Sequence, residues 1–197
     1  GFNAQRVFSN DNLQEATELR ELMGLSAESA GRFAFFTQAS GDSLEIAAAN
    51  AFAGVDAAFS QRELFEQIGS ISDSIAITFD GNLEAMVGTA NAAKRLGLNL
   101  QQVDQIASGL LDIESSIAAE FEAEVISGKQ INLERARFFA LTNDLAGVTE
   151  EIGKNQEIIN SFASGTRIEQ EAIAGALNLS RDEISKMIFD QSILNGM

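Results

Sequence analysis

Leu96-Gly-Leu-Asn-Leu100-Gln-Gln-Val103-Asp-Gln-Ile106-Ala-Ser-Gly-Leu110-Leu-Asp-Ile113-Glu-Ser-Ser-Ile117-Ala-Ala-Glu-Phe121-Glu-Ala-Glu-Val125-Ile-Ser127 decides the fold class. Gly97 can take the left-handed conformation that ends a helix, because it has no Cβ to clash. Asn99 can then accept a hydrogen bond from a free backbone N–H while Gln102 reaches back, a weaker version of the capping box. Beyond that cap, Val103, Ile106, Leu110, Ile113, Ile117, Phe121 and Val125 advance by threes and fours, the spacing of one helical face. The spacing predicts a single helix over 100–127. Its wide stripe is hard to cover from within one chain, so Val103, Ile106, Leu110, Ile113, Ile117 and Phe121 form a candidate oligomer face.

The same joint occurs twice more, as Met23-Gly24-Leu25-Ser26 and Leu177-Asn178-Leu179-Ser180. Gly24 and Asn178 are the left-handed residues, and Ser26 and Ser180 the caps. Leu25, Leu98 and Leu179 can pack on the helices either side. Four residues past each cap stand Ala30, Val103 and Ile184, the positions of a hydrophobic staple. The separations, 73 and 81 residues, are too irregular for a solenoid repeat. Ser60 with Glu63, Thr166 with Glu169 and Ser180 with Glu183 read as further capping boxes, and Asp42 with Glu45 as a weaker one. Helices are predicted at 11–23, 26–39, 43–58, 61–78, 81–96, 100–127, 132–142, 145–163, 167–177 and 181–191. No segment alternates strictly. The expected fold is all-α: an elongated or jointed array of amphipathic helices with helix-turn-helix joints and no sheet. An Ala/Phe-rich region, 1–80, gives way at Asp80-Gly81-Asn82 to longer aliphatics and charges over 81–197. Phe138, Phe139, Ile158, Phe162 and Leu177 are expected to be covered.

Composition narrows the chemistry. The 197 residues contain no Pro, Cys, His, Trp or Tyr. Proline costs about 3 kcal/mol inside a helix, so its absence suits a chain that is helical throughout. Without Cys there are no disulfides or thiolate metal sites. Without His the usual general base is gone. The net charge of −16 opposes phosphate binding, which needs clustered Lys and Arg. No run of 18 apolar residues is present, so no spanning helix is expected.

Four stretches invite reading as sites. Asp80-Gly-Asn82-Leu-Glu84 imitates the start of a calcium loop, but Ala85 and Asn91 stand where that loop needs Gly and Glu; a turn before a helix reads better. Gly147 to Lys154 is one residue too long for a phosphate loop, and Asn155 replaces its Ser or Thr. Glu114, Glu120, Glu122 and Glu124 could pair for glycoside hydrolysis, yet no Tyr lines a sugar cleft, and a solvated helix face is the expectation. Residues 167–190 have the rhythm of a DNA-binding helix-turn-helix. Their window, 166–190, carries three basic and five acidic side chains, which repels phosphate. A DNA-binding or regulatory helical module is therefore the alternative reading. A third is a membrane-active segment at 30–59, Ala/Gly/Phe-rich enough to lie in an interface.

Val125-Ile-Ser-Gly-Lys-Gln-Ile-Asn-Leu-Glu-Arg-Ala-Arg-Phe-Phe-Ala-Leu-Thr-Asn-Asp-Leu-Ala-Gly-Val-Thr-Glu-Glu-Ile152 resembles segments of bacteriophage tail tape measure proteins. Those segments join an acidic helix, a Gly-Lys turn, an Asn-Leu-Glu-Lys/Arg-Ala-Arg helix and an Asp-Leu-x-Gly step. Gln170 to Met187 resembles the next stretch of those proteins, and Gly-Leu-Ser-Ala-Glu-Ser-Ala near residue 25 is a phrase they share. The resemblance is strongest over about 81–190. It implies a non-enzymatic virion protein without cofactor or metal, placed in the tail lumen or baseplate hub, that sets tail length and leaves at DNA ejection. It implies contacts with tail-tube and hub proteins and with copies of itself, a trimer first and a hexamer next. It implies no specific nucleic acid, and membrane contact only after ejection. A fully helical chain advances 1.5 Å per residue, so ~200 residues span at most ~300 Å. The joints would shorten that greatly, making this a jointed part rather than the stretched ruler.

Overall fold

Gly24, Gly97 and Asn178 all adopt the left-handed backbone, with φ of 64°, 73° and 54°. Leu25, Leu98 and Leu179 are buried beside them, as are the staple residues Ala30, Val103 and Ile184. The computed structural model describes residues 24–40 and 60–196, with scattered positions between 14 and 21. The expected helix at 43–58, most of that at 11–23 and the Asp42–Glu45 cap lie outside the described residues. Among the described residues every regular element is an α-helix and none is a strand, so the fold is all-α. The elements are α1 (Ala27–Ser40), α2 (Gln61–Gly69), α3 (Asp73–Thr78), α4 (Leu83–Arg95), α5 (Leu100–Leu111), α6 (Ile113–Ser127), α7 (Glu134–Leu141), α8 (Leu145–Lys154), α9 (Gln156–Ser164), α10 (Arg167–Ala176) and α11 (Arg181–Gly196).

Three expected helices are each two. Ser70-Ile71-Ser72 interrupts 61–78, and the Ser72 hydroxyl accepts from Ile75 N–H to start α3. Asp112 interrupts 100–127, and Asn155 interrupts 145–163. These last two residues share one conformation, φ −77° ψ 80° and φ −82° ψ 77°. Each ends one helix and caps the next, so the chain turns without a loop. The Asp112 carboxylate accepts from Ser115 N–H, and the Asn155 side chain from Ile158 N–H. Apolar spacing runs straight across both breaks, which hides them from periodicity.

The chain divides into two compact units, Gly1–Asn91 and Ala92–Met197. The division falls inside α4, beyond the Asp80-Gly81-Asn82 turn. That turn has left-handed Asp80 and Gly81, and Asn82 accepts from Ala85 N–H to cap α4. In the first unit α1 packs on α2. Phe33 and Phe65 meet at 4.2 Å between ring centres. Gly69 passes so close to Ser29 that a Cβ would lie 2.4 Å from its Cα. Glu66 of α2 completes the cap of α1: it accepts from Ser26 N–H at 2.7 Å and Ser29 Oγ at 2.6 Å, while the Ser26 hydroxyl accepts from Ser29 N–H. The acid of this capping box thus comes from another helix.

In the second unit α6 packs on α10, α7 lies against α5 and α8, and α9 meets α10 and α11. Val103, Ile106, Leu110, Ile131, Leu133, Val148, Ile158, Phe162 and Ile173 fill its core. Burying one such side chain contributes roughly 1.5–3 kcal/mol. The Asn99–Gln102 and Thr166–Glu169 boxes are both formed, and Ser180 with Glu183 makes a third. Ser60 is the exception: it has the extended backbone of a cap, but its hydroxyl makes no cap hydrogen bond.

Candidate interaction face

The break at Asp112 splits the expected oligomer face into two unlike halves. Val103, Ile106 and Leu110, on α5, are fully buried within their own unit. In that unit α5 packs on α7 and α8, so these three residues are covered without a second chain. Ile113, Ile117 and Phe121, on α6, are 40%, 51% and 67% exposed, and Val125 continues the line at 65%. The helix turns its small residues inward instead: Ser116 and Ala123 are buried, and Ala119 half-buried. Small side chains let α6 settle close on α10 and leave its large ones outside.

The carboxylates beside this ridge fold the chain. Glu120 accepts from Leu133 N–H at 3.2 Å and pairs with Arg137, which also donates to Ser116 Oγ at 3.1 Å. Glu124 accepts from Ile131 N–H at 2.8 Å. Together they satisfy two backbone N–H groups, of Ile131 and Leu133, in the stretch after α6 ends at left-handed Gly128. Composition gave no sign of these bonds, because their partners lie up to 17 residues away. Glu114 and Glu122 remain exposed. The four glutamates thus divide between loop stitching and solvent, and they do not form a facing pair across a cleft.

Phe138 is exposed, against expectation, while Phe139 is half-buried. Neighbours on a helix point about 100° apart, and Phe139 takes the inward place over Gly147, where a Cβ would lie 2.3 Å from the ring. Leu141 is also exposed. Ile158, Phe162 and Leu177 are buried.

The joint at Asn178 is locked. Its side-chain amide donates to Gln105 carbonyl at 2.9 Å, and Gln105 donates back to Asn178 carbonyl at 2.7 Å. Gly109, one turn further along α5, leaves room for Asn178. Past the joint α11 begins with Arg181 half-buried, Asp182 exposed and Glu183 bound to the cap. Its Lys186 pairs with Asp190. The first turn that a recognition helix would present to bases is therefore mainly acidic.

Three carboxyls titrate low because they accept cap hydrogen bonds. The Ser29 hydroxyl holds Glu66 below the usual range, the Thr166 hydroxyl does so for Glu169, and the Ser180 backbone N–H for Glu183. Among the described residues no group of three or more Asp or Glu is placed to hold a metal, and no helix is long and apolar enough to cross a membrane. No family model, curated protein or solved structure matches this chain.

Proposed function

We propose that this chain is a structural, non-enzymatic segment of a phage tail tape measure protein. The observation that carries the reading is the order of phrases over Val125–Ile152. Each phrase coincides with a built element. The acidic helix is α6, and the Gly-Lys turn follows its left-handed Gly128. Asn-Leu-Glu-Arg-Ala-Arg opens α7, and in the Asp-Leu-x-Gly step Asp144 caps α8 by accepting from Gly147 N–H. In this reading the chain occupies the tail tube or baseplate hub, contributes to tail length and leaves at ejection. It works as several copies, a trimer first and a hexamer next. With −16 charges per chain, the tube rather than intrinsic attraction would hold them together.

Antibody raised against residues 92–197 tests this on purified tailed particles of the source phage. The chain is expected in intact particles and lost from those emptied of DNA. Its absence from intact tails would sink the proposal.

A further inference from the structure

We infer that the outward ridge of α6 is a docking site for an amphipathic helix of another protein, one that flanks its apolar side with lysine or arginine. Ile113, Ile117, Phe121 and Val125 stand at successive four-residue steps and are all exposed. Each step is about 6 Å along the axis, so the ridge runs roughly 18 Å. Four-residue rows pack into the matching grooves of a helix crossing at about −50°. A coiled-coil seam needs alternating steps of three and four, so this ridge is poorly made for a parallel bundle.

Charge selects the occupant. The row on one side of the ridge carries exposed Glu114 and Glu122; on the other, Glu120 and Glu124 are half-buried and already bound, Glu120 to Arg137 and Leu133 N–H and Glu124 to Ile131 N–H. The helix has no Lys or Arg at all. A second copy would bring another −16 charges, and antiparallel pairing would set Glu114 and Glu122 against their own counterparts. Like charges facing one another cost affinity, and complementary ones add rate and specificity. A partner helix with a basic edge along Glu114 and Glu122 satisfies both the ridge and its exposed acidic border. This stands independently of the tail reading.

The probes are a helical Leu/Lys peptide and a Leu/Glu peptide of identical apolar pattern, titrated into the full chain at physiological salt by fluorescence anisotropy. The Lys peptide is expected to bind and the Glu peptide not. The double substitution Ile117→Ser, Phe121→Ser, on exposed positions that should leave the helical signal intact, is expected to weaken binding by at least about tenfold, the size of an interface hot-spot loss. Glu114→Lys with Glu122→Lys should shift preference toward the Glu peptide. Lys-peptide binding that survives the double substitution would mean charge attraction alone and overturn the inference. Failure of both peptides to bind would do the same. So would a dimer in sedimentation equilibrium that Phe121→Ser dissolves, because the occupant would then be a second copy.

Discussion

Replacing Gly109 by Ala sets helix propensity against packing at one atom. A Cβ there would lie 2.3 Å from Asn178 Cβ and 2.7 Å from its Cγ. Carbon atoms settle at roughly 3.5–4.0 Å, so α5 and the Asn178 joint must part by more than about 1 Å. The obstacle is next to the backbone of a left-handed residue, not the end of a flexible side chain. Overpacking of this kind costs about 1–3 kcal/mol. The parting also strains the reciprocal Gln105–Asn178 hydrogen bonds, each worth about 1 kcal/mol. Against this, Ala is favoured over Gly in a helix by about 1 kcal/mol. The net expectation is destabilisation by about 1–3 kcal/mol. Gly175 is the internal control. It lies in α10 of the same unit, and a Cβ there meets nothing within 4 Å, so Gly175→Ala should stabilise by up to about 1 kcal/mol. Urea unfolding followed by circular dichroism compares the two. If Gly109→Ala raised the midpoint as Gly175→Ala does, the close approach of α5 to the joint would be refuted.

Asp112→Ala removes the cap that starts α6, which also accepts from the Ser115 hydroxyl at 2.8 Å; a loss of about 1 kcal/mol in urea unfolding is expected. Arg137→Ala leaves the largely buried Glu120 without its cation. It should cost roughly 3 kcal/mol, whereas Arg167→Ala, at an exposed pair, should cost at most about 1; equal effects would contradict the assigned roles. Glu183 has a lowered folded pKa, so its stabilisation is fully present above the usual glutamate value of about 4.3 and is lost as pH falls through the lowered value. Glu183→Gln removes that titration, so the acid limb of helix unfolding should become shallower below about pH 4, and an unchanged limb would count against the Ser180–Glu183 cap.

What could be read from the sequence is what the backbone settles locally. At Gly24, Gly97 and Asn178 the left-handed residue, the buried leucine and the cap after it lie within three positions, so residue type alone gives the geometry. The Ser26 cap shows where that stops. Its acid is Glu66, 40 residues on, and nothing near Ser26 announces it. Glu120 and Glu124 are similar: as a run of acids on a helix they look solvated, and only the fold brings Leu133 N–H and Ile131 N–H to them.

The misreading of 100–127 has the same origin and bears on the candidate face. Leu110 and Ile113 are three residues apart, as they would be in one continuous helix. Asp112 breaks the backbone between them, with ψ at 80°, and preserves the spacing while changing the direction. Before the break, the stripe is covered by α7 and α8. After it, α6 lies on α10 through Ser116 and Ala123, and the continuing stripe of Ile113, Ile117, Phe121 and Val125 points outward. Its apolar content was therefore legible, and its exposure was not. Exposing four large side chains forgoes roughly 1.5–3 kcal/mol for each that full burial would supply. A partner that covers the ridge, with its exposed border of Glu114 and Glu122, would recover part of that stabilisation.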